Sequence, residues 1–426
     1  MLHRMKMVLR KMIKLAVEGH FVKRFHEELE EFIARIARTI LRWTLTVQEN
    51  KVVFHTQENK YCCNQKYICE EFLRRGLEKE MDLVYVIPTK GKRGNVPEGV
   101  RVVKRGTMEY FKEMMSAKFI FTNSVLFKKT RFKLKRGQIL FQTWHGSLGI
   151  KRFDKNSFKG SAKWIRGAIN TGKMTKYCIS NSTFEDQVYK DSYWPKTPSL
   201  RFGHPRNDIM FDNHAEHRAQ VKAAFLEKHE LPEDTRFIMY GPTFRDSQNF
   251  ACYDIDIDGI LEAAKERFGG EWVLLLRYHM TLWKVYKKKD KLKKSEHTGT
   301  VIDVTQYSDM QELMTIADIA ITDYSSWIYD FVLQRKPGFI FATDIELYNN
   351  ERGFCYPLEQ TPFAIATDND TLKQNILDFN QEQYLAKVET FLEEKGCIED
   401  GHASERTVDK VLELMNARKK GRKHEK

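Results

Sequence analysis

Short apolar runs alternate with helical patterns along this chain, and the alternation stops once and starts again. Lys51–His55, Leu83–Ile87, Val100–Val103, Phe119–Phe121, Ile139–Phe141 and Tyr177–Ser180 read as strands. Apolar residues at helical spacing fill Lys66–Arg75 and Met108–Met115 between them. The pattern resumes at Phe237–Tyr240 and runs on through Trp272–Leu276, Val301–Asp303, Ile319–Ile321 and Gly338–Phe341. Helices are expected near Glu216–Glu230 and Gly259–Phe268. A strand rejoins its neighbour in the same direction only through a crossover, so this order predicts parallel sheets with helices on both faces. With Gly203–Asp208 as a turn-rich hinge, the two blocks predict an α/β protein of two Rossmann-like domains facing a cleft. The divisions are a helical segment over 1–48, a first domain over 49–210, a second over 211–405, and over 406–426 a helix end whose basic run Arg418–Lys426 reads as a frayed tail.

The formal charge of +13 on 426 residues implies an anionic partner, and 42% hydrophobic residues suit a globular chain. Seven cysteines form no CxxC pair and have no histidines at zinc spacing, so a disulfide framework or structural zinc is not expected. A reducing cytoplasm is the simpler setting. No run reaches the roughly 18 uninterrupted apolar residues of a membrane span. Within 1–48, Phe32, Ile33, Ile36, Ile40 and Trp43 form one helical stripe, with Arg35, Arg38 and Arg42 between them. That pattern suits a helix lying in an anionic lipid interface, or one docked on its own first domain. Basic runs such as Lys284–Lys294 lack interleaved stacking aromatics, so no nucleic-acid partner is expected. There is no GxGxxG, no Walker lysine loop and no HExxH.

Chemistry in α/β proteins collects at strand ends, and several ends here carry it. His145 follows the strand Ile139–Phe141 and precedes Gly146; a near-neutral imidazole there suits a general base, though it also suits a turn cap. His279 follows Leu274–Arg277 in the second block, where it reads as a phosphate partner or a loop histidine. Thr243 and Arg245 follow the first strand of that block, where an arginine can fork two phosphate oxygens. Thr322, Asp323, Ser325 and Ser326 lead into the helix beginning at Trp327: an anion site at a helix N-terminus, or plain capping. Ser308 three residues before Gln311 reads as a capping box.

In chain order, Thr143–Gly146, Gly203–Asp208, Pro242–Asp246, Leu275–Arg277 with His279, and Ile321–Ser326 resemble the motifs of the CDP-glycerol glycerophosphotransferases. Those enzymes build teichoic acids and related capsule polymers. The resemblance covers roughly residues 50 to 400. It implies a GT-B-like fold, a cytidine diphosphate donor held mainly by the second domain, and two essential histidines at His145 and His279. It implies a transferase moving glycerol phosphate from CDP-glycerol to a hydroxyl of a lipid-linked or polymeric acceptor, with release of CMP. Under it, Thr243, Arg245, Arg277, Thr322, Asp323, Ser325 and Ser326 hold nucleotide and phosphate. Trp144, Gly146, Lys151 and Arg152 face the acceptor. The enzyme would work as a peripheral protein on the cytoplasmic face of the membrane, with no cofactor and no metal demanded by any motif. Ser147–Leu148 replaces the family's frequent Thr-Pro, on the acceptor side, and His204 replaces the more usual Tyr before Pro205. The CDP-ribitol transferases share these motifs, and a GT-B glycosyltransferase using a sugar nucleotide is the nearest other enzyme.

Overall fold

Both blocks fold as parallel sheets. The computed structural model describes residues 39–58, 60–87, 95–126, 133–149, 151–152, 162–243, 245, 254–278 and 300–424. The first sheet holds β1 (Gln48–His55), β2 (Asp82–Ile87), β3 (Arg101–Lys104), β4 (Ala117–Thr122), β5 (Ile139–Gln142), β6 (Tyr177–Ser180) and β7 (Ser199–Arg201), in the order β3-β2-β1-β4-β5-β6-β7. The second holds β8 (Arg236–Tyr240), β9 (Trp272–Leu276), β10 (Val301–Asp303), β11 (Ile319–Thr322), β12 (Gly338–Phe341) and β13 (Ala364–Ala366), in the order β10-β9-β8-β11-β12-β13. Each sheet starts in its middle and winds outward one way, then the other. The order therefore reverses between β1 and β4 and between β8 and β11, and a crevice opens there at the carboxyl ends.

The central strands are buried on both faces, which is why they read as unbroken apolar runs. Val52, Val53 and Phe54 of β1 and Ile238 and Met239 of β8 are fully enclosed. The strands missing from the sequence reading, β7 and β13, are three-residue edge strands with half-exposed side chains. Such strands carry too few apolar residues to show a period.

Other expectations are corrected. The helical segment ends before residue 48: 39–44 are helical, and β1 begins at Gln48. Residues 1–38 lie outside the described residues, as does Lys284–Lys294. The expected hinge, Gly203–Asp208, runs into a short helix, Pro205–Met210, that is buried throughout. Asp309, not Ser308, caps the helix Met310–Ile316, accepting from Gln311 N, because the shorter Asx loop reaches that amide. One helix runs from Ala403 to His424. Its Val408 and Val411 are fully buried in the first sheet's core with Ile68 and Phe72. Asp208 fixes its start, accepting from Ala403 N and Ser404 N at 2.9 and 2.7 Å.

Candidate active site

The ends of β4 and β5 build a polar scaffold under His145. Gln142 Oε1 accepts from Trp144 N at 3.0 Å, and Gln142 Nε2 donates to the Ser124 carbonyl at 3.2 Å. The turn this enforces puts Trp144 in the left-handed region at φ 51°, where a bulky residue is strained. Trp144 is held there edge-on to Trp194, at 5.3 Å between centroids, and its ring stacks on His145 at 4.4 Å. His145 Nδ1 lies 2.6 Å from the Asn123 carbonyl. A carbonyl only accepts, so Nδ1 carries the proton and Nε2 is the ring's acceptor nitrogen in the neutral form. Asn123 is itself fixed, with Oδ1 accepting from Gln57 N at 2.7 Å and Nδ2 donating to Glu58 Oε2 at 3.1 Å.

The loop after His145 belongs to both halves. Arg206 donates from Nη2 to the Gly146 carbonyl at 2.5 Å and from Nε to Asp330 Oδ2 at 2.9 Å. Leu148 is fully buried in the core of the second half. A Cβ on Gly149 would stand 2.8 Å from Ser326 Cβ, so this close approach requires glycine. Lys151 Nζ donates to Thr243 Oγ1 at 3.3 Å. The Arg152 amide and Nε donate to the Gly353 and Phe354 carbonyls, at 3.2 and 2.9 Å. The result is a cleft of about 380 Å³, walled by Trp144, His145, Gly146, Lys151, Arg152 and, from the second half, Ser326. That size suits a small polar ligand.

Across the cleft, the second crevice is organised by carboxylates. Asp323 accepts from Thr243 N at 2.9 and 3.0 Å and pairs with Arg245 Nη1 at 2.8 Å. Arg245 also grips Asp344 with two nitrogens, at 2.7 and 2.9 Å, and its guanidinium carbon lies 4.8 and 4.9 Å from the centres of the stacked Tyr324 and Tyr348 rings. Its side chain is 3% exposed, so here it is the post that holds the loop, not an open phosphate fork. Thr322 Oγ1 is used the same way, on the Gly241 carbonyl at 2.6 Å. Arg277 donates to the Val304 and Tyr307 carbonyls, and burial lowers its pKa. Ser325 and Ser326 stand half-buried before Trp327–Phe331, a single helical turn that neither caps with its side chain. His279 lies outside the described residues. Among the described residues no three His, Cys, Asp or Glu side chains are placed to hold a metal.

Below the cleft lies a network that the sequence reading missed. Glu185 Oε2 lies 2.8 Å from His204 Nε2 and accepts from Asn181 N at 2.9 Å. Burial opposes a charge on His204, but Glu185 outweighs it and raises its pKa. Glu399 accepts from His204 N, Asn207 Nδ2 and Asn181 Nδ2, and desolvation lifts its carboxyl to about 7. The signal was present: Gly203–Asp208 carries more polar groups than a turn needs, and Ser182 precedes Glu185 at capping-box spacing.

A family model described as CDP-Glycerol:Poly(glycerophosphate) glycerophosphotransferase matches residues 37–413. The teichoic acid poly(glycerol phosphate) polymerase of Staphylococcus epidermidis is 30% identical over 336 residues, which is 74% of this chain and 44% of that protein. The polymerase of the same name from Bacillus spizizenii is 26% identical over 376 residues, 85% of this chain and 92% of that protein. The chain thus spans less than half the length of the first relative and nearly all of the second. Teichoic acid ribitol-phosphate polymerases of Staphylococcus aureus are also similar. Among solved structures, the wall teichoic acid polymerase TagF aligns with a TM-score of 0.76 at 25% identity, over 93% of this chain and 98% of that one.

Proposed function

The chain belongs to the CDP-glycerol:poly(glycerophosphate) glycerophosphotransferase family, and we propose that it transfers glycerol phosphate from CDP-glycerol to an acceptor hydroxyl. The acceptor oxygen attacks the phosphorus that bears the glycerol. A new P–O bond forms, the bond to the CMP oxygen breaks, and CMP leaves. The acceptor's proton passes to His145 Nε2. The observation that carries this reading is the lock on Nδ1: the Asn123 carbonyl at 2.6 Å leaves Nε2 as the basic nitrogen at the cleft wall. Positioning and charge stabilisation supply the rest.

In this reading the architecture is GT-B-like, with residues 49–210 presenting the acceptor and 211–405 the donor. Ser325 and Ser326, with the helix start behind them, receive the diphosphate, and His279 balances its charge. Arg245 and Asp323 act one step back, by holding that loop in shape. Lys151 and Arg152 meet the anionic acceptor. Exposed Ile40 and Trp43, at 55% and 84%, support a membrane contact by the N-terminal segment. That would put the enzyme peripherally on the cytoplasmic face, beside a lipid-linked acceptor. Among the described residues no helix is long and apolar enough to cross a membrane.

Mass spectrometry of a short polyol-phosphate acceptor incubated with CDP-glycerol, CDP-ribitol or UDP-sugars tests this. Addition of glycerol phosphate from CDP-glycerol is expected. Preferential ribitol phosphate addition would move the chain to the ribitol enzymes that it also resembles. Hexose addition from a UDP-sugar would replace the reading by a glycosyltransferase.

A further inference from the structure

A second pocket, of about 400 Å³, adjoins the cleft and shares Arg152 as a wall. Its other walls come from the second half and include Asn349, Phe354, Cys355, Tyr356 and Glu359. The Lys151–Arg152 segment forms an antiparallel bridge to Phe354, and Arg152 lines both cavities. A second cation, Lys395, stands behind the rings that line the two cavities. Lys395 Nζ lies 3.7 Å from the centre of the Tyr356 ring and 5.2 Å from that of Phe184, which lines the cleft. Among the described residues its ammonium faces rings rather than a carboxylate. Arg152 on the shared wall and Lys395 behind it, both within electrostatic reach of Cys355, with aromatic faces and planar polar side chains beyond, suit a phosphodiester followed by a polyol.

We propose that this pocket is an acceptor subsite, holding the phosphodiester next to the acceptor's reacting end between Arg152 and Lys395. The inference rests on the proposed reaction. An acceptor hydroxyl at His145 leaves the remainder of its chain to run out of the cleft, and the opening past Arg152 receives its next unit. Glycerol or hydroxyl groups of that unit meet Asn349 and Glu359. The site thus favours acceptors of two or more units over one.

The test uses the full chain and soluble acceptors of one, two and three glycerol phosphate units, with CDP-glycerol as donor. The wild-type KM should fall by about tenfold from one unit to two, the size of one charge-assisted contact. Lys395→Gln keeps the stem on the rings and removes the charge. It should lose most of that fall while the one-unit KM, kcat and the KM for CDP-glycerol stay unchanged. Cys355→Trp, which fills the pocket from its exposed rim, should do the same by a different route. Retention of the two-unit advantage in both variants overturns the subsite, and so does an equal rise in KM for one and two units. Absence of transfer to all three acceptors by the wild type overturns the proposed reaction, and the subsite with it.

Discussion

Replacing Arg206 with methionine removes the charge that stands between the two halves. Its guanidinium and the Asp330 carboxylate are 2.9 Å apart, with side chains 3% and 4% exposed. Burial opposes the charged guanidinium, but Asp330 outweighs it and raises its pKa. Removing one member of such a buried pair costs about 3–5 kcal/mol, because the remaining charge keeps its desolvation penalty. Asp330 would retain one hydrogen bond, from Asn207 Nδ2 at 3.1 Å. A loss near the low end, about 3 kcal/mol, is therefore expected. Adding Asp330→Leu removes the stranded carboxylate. The double variant should recover most of the stability, losing less than Arg206→Met alone, so the cycle should be far from additive. Urea unfolding followed by tryptophan fluorescence measures it. Transfer activity should not recover with stability, because the Gly146 carbonyl still lacks its guanidinium donor and the His145 loop is anchored there. A single-variant loss below about 1 kcal/mol, or an additive cycle, would refute the role of the pair.

His145→Gln should lower kcat by about a hundredfold or more while leaving the melting temperature nearly unchanged, because an amide cannot take the proton; a purified, folded variant with wild-type turnover removes His145 from the mechanism. Glu399 holds its proton more tightly when folded, with its carboxyl at about 7 against an ordinary 4.5. Its contribution to stability is complete below about pH 4.5 and is lost as pH rises through about 7. Melting curves taken between these values should therefore fall more steeply for the wild type than for Glu399→Gln, and parallel curves contradict the assignment. Removing residues 1–44, which spares β1, should abolish co-sedimentation with anionic liposomes and leave CDP-induced thermal stabilisation intact; full co-sedimentation of the shortened chain points to another surface.

The sheets were legible because their middle strands are buried on both faces and read as bare apolar runs, as at Val52–Phe54 and Ile319–Ile321. The edge strands β7 and β13 were not, since half-exposed three-residue segments carry no period. His145 lines the cleft at the strand end where its spacing put it, and Lys151 and Arg152, which only the resemblance had put on the acceptor side, line it too. Arg245 shows the limit of such reading. Its position after β8 was evident, but the two carboxylates that engage it lie 78 and 99 residues downstream, at Asp323 and Asp344. Nothing local announces such partners. Leu148 hides its role for the same reason: one leucine in a loop gives no sign that it plugs another half's core.

The helix Ala403–His424 has a consequence for the order in which this protein can mature. Its Val408 and Val411 complete the core around Ile68 and Phe72, yet the whole second sheet is made before them. At about 5–20 residues per second, the stretch from 211 to 403 takes on the order of 10–40 s to synthesise. Through that interval the first sheet waits with one flank of its core open to water. A nascent chain in that state is a ready client for a chaperone and a ready partner for another copy of itself. Residues far from His145 thereby govern how much of the protein reaches its working form.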